Sequence, residues 1–157
     1  MLECLYCFII SAAFCIVYNI KGRDVLYGGL GSALGWAVYL GCYRQFGSVI
    51  GGYFLGTVVT TLYSEFMAVH RKTPSTIFLI PSIIPFVPGG RIFRVMAAWL
   101  YGDQETLLLQ GRYTITVAGA VAMGIIIGIT VVRMERNMLC LFRAKINKRK
   151  LNENNSQ

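Results

Sequence analysis

Five long apolar stretches, each near the length that crosses a lipid bilayer, constrain this chain more than any other feature. A helix needs ~17–25 mostly apolar residues to traverse a hydrocarbon core about 30 Å thick. Segments from about Leu2 to Ile20, Val25 to Cys42, Phe46 to Val69, Ile77 to Tyr101 and Thr114 to Val132 meet that requirement. The links between them are short and polar: K-G-R-D, Y-R-Q, H-R-K-T-P-S and G-D-Q-E. A transmembrane barrel would instead show ~10-residue segments of alternating hydrophobicity. Only 14% of the 157 residues are charged, against about 25% in a soluble domain. The expected fold is all-α and integral to a membrane: a five-helix transmembrane bundle over residues 1–132, then a basic cytoplasmic tail over residues 133–157.

Charge distribution gives the bundle a direction. The net charge is +8, and seven of the fifteen basic residues lie beyond the last apolar block, from Arg133 to Lys150. With Lys21, Arg23, Arg71 and Lys72 they make eleven on one side, against Arg44 and Arg112 on the other, where Asp103 and Glu105 also lie. Basic residues accumulate on the cytoplasmic face, so the N-terminus is expected outside and the C-terminus in the cytoplasm of a plasma-membrane protein. Basic residues placed beside a span point to anionic lipid headgroups, met by an interfacial helical tail that frays at N-E-N-N-S-Q, rather than to nucleic acid. Cys4 and Cys7 form a C-x-x-C pair. With one histidine and no second such pair they read as small hydrophobes, and no metal or cofactor is expected. The start M-L-E-C-L lacks the positive region of a signal peptide.

Small residues recur four apart at Gly31 and Gly35, Gly47 and Gly51, Gly52 and Gly56, and Gly124 and Gly128. In lipid such pairs let helix backbones approach closely, which suits a tight bundle or a homo-oligomer. General glycine enrichment of membrane helices gives the same pattern without a specific interface. No internal repeat is evident.

The fourth span is interrupted. In I-P-S-I-I-P-F-V-P-G-G-R-I-F-R, Pro81, Pro85 and Pro88 share one helical face. Each lacks an N–H and crowds the carbonyl four residues earlier, leaving carbonyls near Ile77, Pro81 and Ile84 weakly paired. Pro88-Gly89-Gly90 permits a break, and a half-helix is expected to resume from Gly90. A half-helix N-terminus inside the membrane presents free N–H groups and a positive dipole end. Discontinuous helices of this kind build substrate sites in secondary transporters, although a kink without ligand accounts for the prolines too. Arg91 and Arg94 fall on one face of its first turn. Two roles are open to them: a planar fork on a carboxylate, or snorkelling toward the outer headgroups. The preceding span sets Thr57, Thr60, Thr61, Ser64 and Glu65 largely along one side. Glu65 suits an arginine partner, a proton relay or a substrate contact, and its nearness to H-R-K equally allows an interfacial pair with Arg71 or Lys72. His70 reads as interfacial.

These residues resemble the threonine/serine exporter family, specifically its small C-terminal half. The match is carried by Y-N-I-K at Tyr18 to Lys21, the G-x-x-x-G-W run from Gly31 to Trp36, and E-F-M-A-V-H-R-K-T-P from Glu65 to Pro74. Its most specific piece is P-S-I-I-P-F-V-P-G-G at Pro81 to Gly90. Order and spacing agree over about Tyr18 to Val132. The resemblance implies a transporter of two kinds of hydrophobic half, here as separate subunits, so a second membrane subunit resembling the longer half is expected. It also implies threonine and serine, or dicarboxylates such as succinate, as substrates. The arginines are not part of that resemblance; their role rests on physics.

The leading expectation is a secondary-transporter subunit with a substrate site drawn from Pro85, Pro88, Gly89, Gly90, Arg91, Arg94, Thr61 and Glu65. The alternative is a non-transporting membrane scaffold built on the glycine faces. With no metal cluster, His-based nucleophile or phosphate loop, an enzyme is not expected.

Overall fold

The computed structural model describes residues 2–154, with side chains through residue 135. Its described elements are all helical: α1 (Leu2–Val17), α2 (Arg23–Phe46), α3 (Val49–Arg71), α4 (Thr76–Ile83), a 3-10 turn (Ile84–Phe86), α5 (Gly89–Tyr101) and α6 (Gln104–Asn154). Helix α3 is central, packed on α2, α4 and α6, while α1 covers α2 and α5 packs mainly on α6.

Length and composition single out α2 and the stretch Gln104–Glu135 of α6 as able to cross a membrane, and a third span if α4 and α5 count as one bent pair. Five spans were expected. Helix α1 has 16 residues, short of the ~20 that a typical span requires. The hydroxyls, Glu65 and His70 dilute the apolar content of α3.

Two links also differ from expectation. Helix α2 runs through Y-R-Q to Phe46, because Gly47 takes up the left-handed conformation at φ 62° and Ser48 caps α3 by accepting the Gly51 N–H at 3.2 Å. Gly47 and Gly51, read as a packing face, therefore form a turn and a helix start. The polar run before Thr114 is helical from Gln104 onward. Asp103 caps it through the Thr106 N–H at 3.1 Å, and bonds from the Thr106 hydroxyl and N–H hold its carboxyl below the usual carboxylate range. Helix α6 continues past residue 132 without a break to Asn154. The expected lipid contacts of the tail and the fraying of its last residues lie outside the described side chains and residues.

The other three glycine pairs sit at helix crossings. A Cβ at Gly31 would meet the Ser82 hydroxyl at 2.8 Å, and one at Gly35 would strike the Thr60 hydroxyl. Gly52 abuts Tyr39, and a Cβ at Gly56 would come within 3 Å of both the Gly35 carbonyl and the Phe86 ring. Gly124 and Gly128 abut Thr57 and Thr61 in the same order along the chain, so α3 and α6 run parallel. The hydroxyls in this seam are fully buried, yet none is orphaned. Thr57, Thr60, Thr61 and Ser64 donate back to the Tyr53, Gly56, Thr57 and Thr60 carbonyls at 2.8–2.9 Å. With its polar group satisfied inside its own helix, each side chain packs on a glycine as a small, nearly apolar knob.

Substitution separates seam glycines from ordinary ones. Gly35→Ala should destabilise the bundle by about 1–3 kcal/mol through overpacking. Gly41→Ala, with nothing within 4 Å of its Cβ, should be neutral or slightly stabilising. Thermal unfolding of the detergent-solubilised protein reads both, and equal melting temperatures would remove the seam from the packing account.

Candidate functional site

Proline removes a donor wherever it falls in a helix, and the first consequence appears at Pro81. Pro85 has no N–H for the Pro81 carbonyl, and Ser11 of α1 supplies the missing donor at 2.8 Å. Ser82, fully buried one residue on, shares its single hydroxyl proton between the Phe78 carbonyl at 2.7 Å and the Gly28 carbonyl of α2 at 2.8 Å. The proline-containing end of α4 is thus pinned to α1 and α2 by hydroxyls. The Ile84 carbonyl, which Pro88 leaves without its usual partner, accepts the Val87 N–H at 3.1 Å in the 3-10 turn.

Phe86 ends that turn and is completely buried, its ring seated in the notch that Gly35 and Gly56 leave open. Trp36 lies 5.7 Å and Tyr53 6.3 Å from it by ring centroids. Tyr39 joins the cluster at 4.7 Å from Trp36 and 4.9 Å from Tyr53, and Trp36 donates its indole N–H to Glu3 at 3.2 Å. Past this anchor Val87 is extended, Pro88 turns the chain, and α5 starts at Gly89, inclined 52° to α4.

A cavity of about 290 Å³ lies at the turn, lined by Tyr53, Val87, Pro88, Gly89, Gly90, Arg91 and Arg94. In the first turn of α5 the Gly89, Arg91 and Ile92 N–H groups donate to the Val87 and Pro88 carbonyls at 2.7–3.1 Å, so the helix contributes its positive dipole end and the two arginines add full positive charge. Arg91 is half-buried and held in place. Its guanidinium carbon lies 3.7 Å from the Tyr113 ring centroid, and one nitrogen donates to the Gln110 side-chain carbonyl at 3.2 Å. Stacking fixes the plane of the fork while leaving further N–H groups for a ligand. Arg94, one turn on, is exposed. The Tyr113 hydroxyl is buried without a hydrogen-bond partner, and Arg91 and Tyr113 both lie within electrostatic reach of Tyr53. Cationic donors over an aromatic floor suit a small carboxylate or dicarboxylate.

The sequence-derived site residues fall in three places. Pro88, Gly89, Gly90, Arg91 and Arg94 share this cavity, and Pro85 lies behind it in the 3-10 turn. Thr61 is buried against Gly128 in the seam. Glu65 lines a separate cavity toward the other end of α3, together with Lys72 and Thr73. Arg71, considered for Glu65, instead donates to Asp24 at 2.8 Å and lies 5.8 Å over the Tyr27 ring. Tyr53, Gln110 and Tyr113 were not anticipated. Tyr53 does stand four residues before Thr57 on the hydroxyl stripe of α3, a helical spacing visible in the sequence. Among the described residues no group of three His, Cys, Asp or Glu side chains is placed to hold a metal.

Tyr113→Leu, which leaves Gln110 in place, should lower the affinity for succinate about three- to tenfold, the size of a ~1 kcal/mol cation–π contact. Arg91→Gln should cost more. Calorimetry on the purified protein that returned unchanged affinity for both variants would detach the stacked arginine from anion binding.

A family model described as "Threonine/Serine exporter, ThrE" matches residues 3–131. Among curated proteins and among solved structures, none matches the chain.

Proposed function

Because the chain belongs to the threonine/serine exporter family, a family of membrane transporters rather than enzymes, we propose that it is one subunit of a secondary transporter exporting threonine, serine or related small carboxylates. The observation that carries this reading is the broken α4–α5 pair, which sets a half-buried, pre-oriented Arg91 at the mouth of a polar cavity. Arginine inside a span is costly unless it faces a cavity or a partner, and interrupted backbone is tolerated at membrane depth only under the same condition. Both conditions are met by one short segment.

In this reading all five hydrophobic units span, α1 and α3 included, because they pack beside α2 and gain in protein contacts what they lack in length or hydropathy. The basic side, with Lys21, Arg23, Arg71 and Lys72, faces the cytoplasm, and the Pro88-Gly89-Gly90 break lies nearer the outer face. The substrate carboxylate lies in the fork of Arg91, with Arg94 and the positive dipole end of α5 completing the charge complement. Dicarboxylates are accommodated because, among the described residues, no acidic side chain lines this cavity. A second subunit resembling the longer half of the family completes the carrier. Large apolar side chains at Phe93, Met96, Trp99 and Leu100 of α5, 59–72% exposed, are available to it or to lipid.

The direct test is flux from vesicles containing this chain and its partner, loaded with labelled threonine or succinate. Wild-type protein should export at least one of them. Arg91→Gln should reduce the rate tenfold or more, a loss of about 1.4 kcal/mol or greater, without loss of insertion. Wild-type rates in that variant, or no flux of either solute, would refute the reading.

A further inference from the structure

One side chain of α1 reaches the aromatic cluster behind the Arg91 cavity. Glu3, in the first turn of α1, accepts the Trp36 indole N–H across 33 positions of the chain. We propose that Glu3 is a positioning residue for that cavity. Its carboxylate holds Trp36, and through Trp36 the Tyr53 and Phe86 rings, in the arrangement that admits an anion, and acid on the outer side loosens that arrangement. The inference rests on the proposed anion site and on the proposed outward orientation of this end of the bundle.

Trp36 is where four elements meet. Its ring lies 4.7 Å from Tyr39 of α2, 6.5 Å from Tyr53 of α3 and 5.7 Å from Phe86 of the 3-10 turn by centroids, and its N–H is bonded to α1. Tyr53 and Phe86 meet edge to face at 6.3 Å, which closes a triangle of three rings. Tyr53 is a wall of the cavity, and Phe86 lies two residues before Pro88, where the chain turns toward Arg91. Ring contacts alone let an indole tilt at little cost, whereas a hydrogen bond at Nε1 fixes its plane. With Glu3 ionised that bond is charge-assisted, roughly twice as strong as a neutral one. Protonation takes the charge off the acceptor and frees the ring.

The Glu3 side chain is exposed, so protons reach it from solvent without a path through the bundle. Cys7 on α1 and Tyr39 on α2 lie within electrostatic reach of it, and Cys4 is its chain neighbour. The other elements packed on α1 are α4 and the 3-10 turn, which carry no titratable side chain from Thr76 to Phe86. Thiols and phenols stay neutral in acid, so Glu3 is the member of this set that changes charge there. Its negative charge also opposes an anion in the cavity. Water and salt screen that effect at an exposed carboxylate, while the bond to Trp36 acts through packed rings. Positioning is therefore the larger of the two.

Trp36 and Trp99 are the two tryptophans of the chain. With Trp99→Phe, fluorescence of the full chain in lipid nanodiscs reports Trp36 alone. The emission should shift in a one-proton transition between pH 7 and pH 3.5, and Glu3→Gln, nearly isosteric at an exposed position, should abolish it. At pH 7 Glu3→Gln should bind succinate about threefold more weakly by calorimetry. Comparing the two proteins at each pH cancels the titration of succinate itself, and the gap should narrow in step with the Trp36 transition. In a Trp36→Phe background Glu3→Gln should have no further effect. Emission that ignores pH, a transition retained in Glu3→Gln, tighter succinate binding in that variant, or an equal loss in the Trp36→Phe background would overturn the inference. Succinate affinity that Glu3→Gln leaves unchanged at every pH overturns it too, and spares the Arg91 site. Failure of all these proteins to bind succinate overturns the site itself, and the positioning role with it.

Discussion

The close approach of α3 to its neighbours is the contact on which the other features depend. In the five-span bundle proposed above no expulsion of water drives helices together, so association rests on how closely backbones come and how well polar groups are satisfied. Helix α3 meets both demands with one device. Its Thr and Ser hydroxyls bond to carbonyls of their own helix, and the compact knobs that result press on Gly35 of α2 and Gly124 and Gly128 of α6. The seam also makes the notch between Gly35 and Gly56 that receives Phe86. Without that notch the end of α4 would have no fixed position, and the turn that sets Arg91 over Tyr113 would lose its anchor. Packing at the centre of the bundle thus determines geometry at its rim.

The break between α4 and α5 follows from proline chemistry, but its stability does not. Three prolines in one face unpair backbone carbonyls, and each unpaired group at membrane depth is costly. The chain repairs the damage from outside the helix, with Ser11 bonded to the Pro81 carbonyl across the interface with α1. Ser82 ties the same region to α2. The kink is thus held by contacts to two further helices, α1 and α2.

Much of the helical framework was legible in the sequence. Segment positions, the interruption near Pro88 and three of the four glycine pairs follow from hydropathy, proline content and four-residue spacing. What was not legible depends on axial register between helices. Thr61 and Glu65 share a face of α3 with Tyr53, and helical periodicity alone cannot say which of them stands level with Arg91. The structure brings Tyr53 to the arginines and leaves Glu65 beside Lys72. Gln110 and Tyr113 were hidden because they fall between the expected spans, which end at Tyr101 and resume at Thr114, whereas the Asp103 cap starts α6 at Gln104. Asp24, the partner of Arg71, is 47 residues away in the chain, with no local pattern to join them. Gly47 and Gly51 satisfy the spacing of a packing pair yet serve a turn, since spacing does not report backbone conformation.

The central claim is that the α4–α5 break lines a water-accessible cavity that holds a substrate carboxylate. A single cysteine at Gly89, where nothing lies within 4 Å of a Cβ, in an otherwise cysteine-free chain tests it most directly. Membrane-impermeant maleimide should label that cysteine in intact membranes, and a transported carboxylate or amino acid should slow the labelling in a concentration-dependent way that Arg91→Gln abolishes. A residue labelled only after detergent extraction, or labelled at a rate no solute changes, would mean that the break faces lipid and holds no ligand.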